Sequence, residues 1–196
     1  MNHRSVTKGI VMGVYKGDSR KGEIEILEER EVFRNQYATL SNDKVRFPSG
    51  TTGEYLRFRW NAPYGVMVFA RNPNGDLLLI RNFRHETRAW HWEIPKGFGM
   101  ENLSPQACAQ KELEEETGYS AQDWRLFRTF QHAEHRTYLF ECTTQALANT
   151  AKEHSEAITG CRFFSKNECK QMMMDDTAVT DATTLFLIAY IQLADV

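Results

Sequence analysis

Hydrophobic and polar residues alternate along most of residues 1 to about 60, which is the period of strands with one buried face. The strand-like runs are GIVMGVY, GEIEILEEREVF, YATLSNDKVRF and EYLRFRW. The turn sequence PSGTTG, from Pro48 to Gly53, separates the last two runs and predicts a hairpin. A sheet of this size cannot bury both of its faces alone. We therefore expect it to pack on the rest of the chain or on a second subunit.

Beyond residue 60 the apolar runs become nearly continuous. VMVFA, from Val66 to Ala70, and LLLI, within Asp76 to Arg84, flank the turn sequence RNPNG and predict a hairpin of strands buried on both faces. The other predicted elements are a strand at Asp123 to Phe130, a strand at Arg136 to Cys142, a polar loop TTQALANTAKEHSEAI, a strand ITGCRFF, a helix capped by Ser165 and a helix from about Thr180. Helices must cover such a sheet, so the order of elements predicts an α/β sandwich.

Between these strands a glycine-rich loop runs into an acidic helix. Ser104 followed by Pro105 is an N-cap and first-turn pair, and Gly118 supplies the left-handed residue that ends a helix. These signals predict a helix over Pro105 to Thr117.

Three carboxylates share one strip of this helix. At ~100° per residue, Glu112, Glu115 and Glu116 fall within an arc of about 100°. Each like-charged pair at i,i+3 or i,i+4 costs about 0.2–0.5 kcal/mol, and a multivalent cation would turn that cost into binding energy. Oxygen ligands without Cys or His indicate Mg²⁺ or Mn²⁺. The alternative for an isolated ELEEE run is a solvated acidic face.

Composition and charge exclude several classes of protein. The chain has 196 residues and a formal net charge of -2, which argues against a general nucleic-acid binder. No apolar run approaches the ~20 residues of a membrane helix, and the N-terminus lacks the uninterrupted apolar core of a signal peptide. The four cysteines show no C-x-x-C spacing, so we expect free thiols and a cytoplasmic location. They are Cys108, Cys142, Cys161 and Cys169.

The glycine-rich loop and its helix resemble the Nudix box, G-x5-E-x7-R-E-U-x-E-E-x-G-U, in which U is a bulky apolar residue. The positions that match in register are Gly97, Glu112, Leu113, Glu115, Glu116 and Gly118, and Tyr119 fills the final position loosely. The resemblance implies a Nudix hydrolase with an α/β/α sandwich. It divides the chain into an N-terminal antiparallel β appendage, residues 1–60, and a hydrolase domain, residues 61–196.

Two positions depart from the box. Leu103 stands where the box has its first Glu, and Lys111 stands where it has Arg. Lys keeps the charge but lacks the planar guanidinium fork, so an ion pair made by that Arg is weakened or lost. We hypothesise that the missing Glu and Arg serve each other and that the later acids are kept for metal. On that hypothesis, Leu103→Glu leaves activity intact or raises it.

The resemblance also implies roles for individual carboxylates. Glu112, Glu116 and Glu115, with the main-chain carbonyl of Lys96, would hold Mg²⁺, or Mn²⁺ in its place. The general base in this subgroup is a Glu outside the box, for which Glu156 is the first candidate and Glu153 the second. Glu115 is counted among the catalytic carboxylates as well.

Cationic and aromatic residues complete the implied site. Arg84 aligns with an Arg that contacts the diphosphate in relatives, and Arg81, Arg57 and Trp60 are further candidates for binding substrate. A cation beside a polyanion and an indole face beside a base both suit a nucleotide.

The chain is most similar in layout to the Nudix subgroup that cleaves ADP-ribose and other nucleoside diphosphate sugars. That likeness implies a homodimer formed through the appendage, and ADP-ribose hydrolysis to AMP and ribose 5-phosphate. The alternatives are other nucleoside diphosphate sugars such as GDP-mannose, dinucleoside polyphosphates or capped RNA. A Nudix-fold regulator that binds a nucleotide sugar without cleaving it is the alternative outside the enzyme class.

Overall fold

The computed structural model describes residues 14–147, 157–175, 178–179 and 181–194, with residues 146 and 147 described by their backbone alone. The chain divides into two compact units, Met1–Asn61 and Ala62–Val196. No helix within these described ranges is long and apolar enough to span a bilayer.

In the first unit, the described residues from 14 onward form a four-stranded antiparallel sheet. Its elements are a 3₁₀ turn at Ser19–Lys21 and the strands β1 (Glu25–Glu28), β2 (Glu31–Arg34), β3 (Ala38–Arg46) and β4 (Thr52–Trp60). β3 pairs with β4 along its whole length, so the predicted hairpin is present. The run GEIEILEEREVF forms two strands instead of the single strand that we predicted. β1 pairs with the C-terminal half of β3, and β2 pairs with its N-terminal half. Because β4 pairs with one edge of β3, β1 and β2 share the opposite edge.

The described residues of the second unit form seven strands and three helices. The strands are β5 (Gly65–Arg71), β6 (Leu77–Arg84), β7 (Ala89–Glu93), β8 (Lys96–Phe98), β9 (Tyr119–His132), β10 (His135–Leu147) and β11 (Ile158–Phe164). The helices are α1 (Pro105–Thr117), α2 (Lys166–Met172) and α3 (Ala182–Leu193).

The seven strands form one mixed sheet in the order β11-β6-β5-β10-β9, with β7 beside β6 and β8 beside β5. β5 and β10 are parallel, and the other pairs are antiparallel. The pairing of β8 with β5 sets Gly97 opposite Val66 and Lys96 opposite Met67. The segment just before the box helix is therefore held on the central strand of the sheet.

Helices cover both faces of this sheet, as the apolar runs predict. Leu77 and Leu79 of β6 share a core cluster with residues of α2 and α3, such as Leu187. Leu78 points to the opposite face and joins a second cluster with Leu113 of α1. Because successive residues of a strand point to opposite faces, a continuous run of leucines fills both layers. The predicted α/β/α sandwich is confirmed.

One predicted loop begins with a strand. Residues 143–147, the start of TTQALANTAKEHSEAI, continue β10 instead of leaving the sheet. Thr143 pairs with Arg71 of β5 and with Gln122 of β9, so neighbours on both sides extend the strand beyond the end set by its local sequence. Contacts with distant strands override the weak local propensity of polar residues here.

All four cysteines are free thiols, as the spacing indicates. Burial raises the pKa of Cys142 to about 12 and that of Cys169 to about 11. Because the thiolate is the reactive form, these two thiols are inert at neutral pH.

The burial of His135 predicts that the free energy of unfolding of the second unit depends on pH. His135, at the start of β10, is buried, and this burial lowers the pKa of its side chain. A hydrogen bond with the backbone of Ala62 raises that pKa, and the charge of His132 lowers it, but burial has the largest effect. The unfolded chain then binds more protons than the folded chain as the pH falls through the ordinary histidine range. We expect the free energy of unfolding of the wild type to fall more steeply than that of His135→Gln between about pH 7.5 and 5.5. Denaturant unfolding at a series of pH values measures this, and equal slopes for the two proteins would contradict it.

Candidate active site

The box helix α1 begins and ends where its sequence signals indicate. The side chain of Ser104 accepts a hydrogen bond from the backbone N–H of Ala107 at 3.2 Å, and Pro105 follows in the first turn. Gly118 ends the helix at φ 78°, and its N–H donates to the carbonyl of Glu114 at 2.8 Å. The helix is therefore fixed at both ends, which sets the direction of its acidic strip.

Two glutamates of the strip face strand β8. The carboxyl group of Glu112 lies against Gly97, so close that a Cβ at that position would be 2.2 Å from Glu112 Cδ. Glu116 is buried, and its Oε2 accepts a hydrogen bond from the N–H of Lys96 at 3.1 Å. The two carboxylates and the Lys96–Gly97 backbone therefore meet at one place.

Glu115, the third acid of the strip, contacts a side chain of its own helix. Its carboxylate forms an ion pair with Lys111, four residues earlier on the same helix. This is the lysine that replaces the arginine of the box. Of the three acids in the strip, Glu115 is thus balanced by a cation of its own helix.

The meeting point of Glu112, Glu116 and Lys96 offers oxygen donors to a divalent cation. Among the residues that the structure describes, no three His, Cys, Asp or Glu side chains already form a metal-binding group. Glu112 and Glu116 offer oxygen donors beside a glycine that leaves room for a carboxylate, and the neighbouring peptide of Lys96 brings a carbonyl oxygen. Mg²⁺ commonly binds one or two carboxylates and takes its remaining ligands from water and substrate phosphates. The donors present fit such an ion.

A buried ionic network lies immediately before the box. Glu93, at the end of β7, is almost fully buried and accepts hydrogen bonds from Asn82 at 2.9 Å and from Arg84 Nε at 3.0 Å. A second bond from Arg84 makes that pair bidentate. The ammonium group of Lys96 lies 3.1 Å from the same carboxylate. Arg84, the candidate for the diphosphate, is thus oriented by a buried acid next to β8.

The sequence analysis missed Asp181, which extends this network to α3. Its Oδ1 accepts a hydrogen bond from Lys96 Nζ at 2.8 Å. Burial alone would raise the pKa of Asp181, but the charge of Lys96 and hydrogen bonds from Lys96 and Thr184 outweigh it and lower that pKa. The sequence D-x-x-T could have identified Asp181 as the N-cap of α3, because its side chain accepts a hydrogen bond from the N–H of Thr184.

The remaining substrate-binding candidates lie in different units. Arg81 is in the second unit, on β6, with its guanidinium 5.8 Å from the ring centre of Trp92. Arg57 is in the first unit and forms ion pairs with Asp43 and Glu29. Trp60 also belongs to the first unit, at the end of β4, and is partly exposed. The candidate general bases, residues 153 and 156, lie outside the described residues.

Leu103 is a partly buried residue beside the hydrophobic core. It packs against the cluster that contains Leu113 of α1. Its backbone is also held, because its carbonyl accepts a hydrogen bond from the Tyr64 hydroxyl at 2.6 Å. Packing explains how this chain accommodates a leucine at the position of the first box Glu.

We therefore expect Leu103→Glu to destabilise the protein by about 1–3 kcal/mol, the usual cost of placing a polar group in an apolar site. This cost concerns stability, and the expectation that Leu103→Glu leaves activity intact or raises it stays a prediction. Leu103→Met, which conserves apolar volume, is the matched control and should cost less. Denaturant unfolding of the three proteins measures the difference. A Glu variant as stable as the wild type would show that the Leu103 packing contributes nothing.

The chain is similar in sequence to a known family and to known proteins. A family model described as NUDIX domain matches residues 62–183, which is more than half of the chain. The chain is 28% identical over 171 residues to the CMP-5'-(N-acetyl-N-hydroxy-3-aminopropyl)phosphonate hydrolase of Streptomyces rubellomurinus, covering 84% of this chain and 81% of that protein. It is 24% identical over 179 residues to an ADP-ribose pyrophosphatase of Bacillus subtilis, covering 88% and 95%.

A solved structure supports the fold independently. The crystal structure of an ADP compounds hydrolase superposes with a TM-score of 0.72 and covers 87% of this chain and 92% of its own. Its sequence identity is 19%, so this likeness bears on the fold alone.

Proposed function

We propose that the substrate of this chain is a nucleoside diphosphate sugar. The premise is that the chain belongs to the NUDIX domain family and is a Nudix hydrolase of pyrophosphate bonds in nucleotide derivatives. ADP-ribose is the first candidate, and the products are AMP and ribose 5-phosphate. The observation that carries the proposal is the meeting of the Glu112 and Glu116 carboxylates at the Lys96–Gly97 backbone. The likeness to an ADP-ribose pyrophosphatase over 88% of the chain supports the choice of substrate.

The carboxylates Glu112 and Glu116 would hold Mg²⁺, or Mn²⁺ in its place, together with the carbonyl of Lys96. Glu115 is a further candidate ligand, and its use requires its carboxylate to be shared with Lys111 or released from it. When bound, a divalent cation neutralises diphosphate charge and polarises phosphorus towards attack.

The protein's own side chains would then carry out the remaining tasks. Glu156, or else Glu153, accepts a proton from the attacking water as the new O–P bond forms. The anhydride P–O bond breaks, and the leaving phosphate keeps the electron pair. Arg84 binds the charge that develops there, in the orientation that Glu93 gives it. Arg81, Arg57 and Trp60 remain candidates for binding the rest of the nucleotide.

A homodimer formed through the first unit is part of the proposal. Large apolar side chains are exposed on its sheet, among them Phe33, Leu56, Phe58 and Trp60. The register of β2, β3 and β4 sets Phe33 and Phe58 both opposite Leu40, so they form a row across three strands. An exposed apolar row of this kind supports a protein partner. A solution mass equal to that of one chain, 22.7 kDa, would contradict the dimer.

A cytoplasmic location is also proposed. The four free cysteines support it, because free thiols persist in reducing compartments.

Two alternatives follow from particular observations. The departures at Leu103 and Lys111 favour a regulator that binds a nucleotide sugar without cleaving it. Retention of three mutually repelling glutamates favours the enzyme, because a binding protein has no need of them. Within the enzyme class, other nucleoside diphosphate sugars such as GDP-mannose and dinucleoside polyphosphates are the next substrates.

A panel of substrates tests the proposal. We expect kcat/KM to be highest for ADP-ribose among ADP-ribose, GDP-mannose, other nucleotide sugars and a dinucleoside polyphosphate, in the presence of Mg²⁺. Phosphate that a coupled phosphatase releases from the phosphomonoester products measures each rate. A higher value for another substrate would overturn the choice of ADP-ribose. If every substrate stays intact while ADP-ribose raises the melting temperature, the protein is a regulator that binds the nucleotide sugar without cleaving it.

A further inference from the structure

The first turn of α3 is bonded to the segment that carries the candidate metal site. Thr184 is fully buried, and its hydroxyl oxygen accepts a hydrogen bond from the N–H of Ile94 at 3.1 Å. The same hydroxyl donates to Asp181 Oδ2 at 2.6 Å. The other carboxylate oxygen, Oδ1, accepts from Lys96 Nζ at 2.8 Å. We call Asp181 and Thr184 the α3 clamp.

These bonds exceed what a helix cap requires. Capping is already provided by Asp181 Oδ2, which accepts the N–H of Thr184 at 2.9 Å. The Thr184 hydroxyl and Asp181 Oδ1 instead reach the backbone of Ile94 and the side chain of Lys96, about 90 residues away in sequence. A buried backbone N–H needs a partner, so the Thr184 hydroxyl fixes the peptide between Glu93 and Ile94, which directly precedes the Ile94–Pro95 link.

The segment that the α3 clamp holds also contacts the two candidate metal ligands, Glu112 and Glu116. The N–H of Lys96 donates to Glu116 Oε2 at 3.1 Å, and Gly97 lies under the carboxyl group of Glu112. A displaced Ile94 or Lys96 would move this N–H, this glycine and the Lys96 carbonyl together. Peptide geometry leaves few soft dihedrals between Ile94 and Gly97, and Pro95 has its φ fixed by the ring.

We propose that Asp181 and Thr184 are positioning residues, which hold the Ile94–Gly97 backbone in the conformation that the Glu112 and Glu116 site requires. The inference rests on the proposed function, because it takes these two glutamates as metal ligands. Neither clamp residue contacts the reacting atoms in this account. Their effect is transmitted through Ile94 and Lys96.

The test measures Mn²⁺ binding to the full chain without substrate, by the loss of the free-ion signal in electron paramagnetic resonance. Thr184→Val keeps the shape but removes the hydroxyl, and should weaken Mn²⁺ binding about tenfold, as for other residues that orient metal ligands. Thr184→Ser keeps the hydroxyl and should rescue binding. Asp181→Asn keeps the N-cap and removes the charge opposite Lys96, so it should weaken binding to a smaller extent.

Ser165→Ala is the matched control for the loss of a helix cap. Ser165 caps α2 in the same unit through a capping box, in which its side chain and its N–H are hydrogen-bonded to Glu168. The control should lower the melting temperature and leave Mn²⁺ affinity unchanged. Steady-state kinetics add a second readout. The clamp variants should raise the Mg²⁺ concentration for half-maximal activity and lower kcat, with little change in KM for ADP-ribose.

Several outcomes would overturn the inference. These are Mn²⁺ affinity unchanged in both Thr184→Val and Asp181→Asn, an equal loss in Ser165→Ala, or no Mn²⁺ binding by the wild type. If Thr184→Val fails to fold, Asp181→Asn decides, because asparagine caps a helix as well as aspartate. Failure of the proposed function is separate. A wild type that binds Mn²⁺ but cleaves no nucleotide sugar refutes the activity, whereas weakened Mn²⁺ binding in the clamp variants still supports the clamp.

Discussion

Glu116→Gln should lower the turnover of ADP-ribose by about 10²- to 10³-fold, the usual effect of losing one group that stabilises transition-state charge. Glutamine has the shape of glutamate and keeps an oxygen that can accept the N–H of Lys96. It lacks the negative charge that a divalent cation needs. Removing one of several repelling acids should not destabilise α1, so the loss should appear in kcat with the melting temperature maintained.

Glu114→Gln is the matched control for this change. Glu114 lies two residues before Glu116, about 200° around the helix, so it points away from the strip at ~100° per residue. The control should retain near-normal turnover. Near-normal activity in Glu116→Gln, or an equal loss in both variants, would show that the acidic strip is not the active site.

Gly97→Ala should abolish most activity without unfolding the protein. An alanine Cβ would lie 2.2 Å from Cδ of Glu112 and 2.4 Å from its Oε2, far inside van der Waals contact. The obstructing atoms are the end of a flexible side chain, so the cheapest response is a rotation of Glu112 away from β8. We expect kcat/KM to fall by about 10²-fold, as for the loss of one electrostatic contact, and the melting temperature to change little.

Gly160→Ala is the corresponding control. Gly160 lies in β11, and a Cβ there meets no atom within 4 Å. This variant should match the wild type in activity. The Gly97→Ala interpretation fails if the variant is fully active, or if it loses activity only in proportion to a loss of folded protein. Circular dichroism and kinetics on the same samples separate these results.

Local signals were sufficient to predict the box helix and most strands. Ser104, Pro105 and Gly118 mark the ends of α1, and each acts within its own turn. The continuous leucines of β6 predicted coverage on both faces because side-chain alternation follows from the strand itself. Features encoded within a few residues are therefore the ones that sequence reasoning recovers.

Features that depend on distant contacts were not recovered. The break between β1 and β2 and the extension of β10 to Leu147 are set by pairing with other strands. The hydrogen bond from Lys96 to Asp181 joins residues 85 positions apart, and no local sequence pattern predicts it. The ion pair of Lys111 with Glu115 does follow from a local signal, the i,i+4 spacing, although the box alignment predicted only a metal-binding role for Glu115.

The roles of the individual site residues remain proposals. Glu112, Glu116 and Lys96 meet in the structure, and Arg84 is oriented beside them by Glu93. The candidate bases, residues 153 and 156, lie outside the described ranges. Glu156→Gln and Glu153→Gln would rank those two by turnover in the same assay that is used for Glu116.

The most direct test of the central claim is ³¹P nuclear magnetic resonance of ADP-ribose incubated with the purified chain, with Mg²⁺ and with a chelator. The account predicts that Mg²⁺ replaces the diphosphate resonances with two phosphomonoester resonances, those of AMP and ribose 5-phosphate. The chelator, or the Glu116→Gln change, should leave the diphosphate resonances in place. Persistence of the diphosphate with wild-type protein and Mg²⁺, or equal cleavage by Glu116→Gln, would contradict the account.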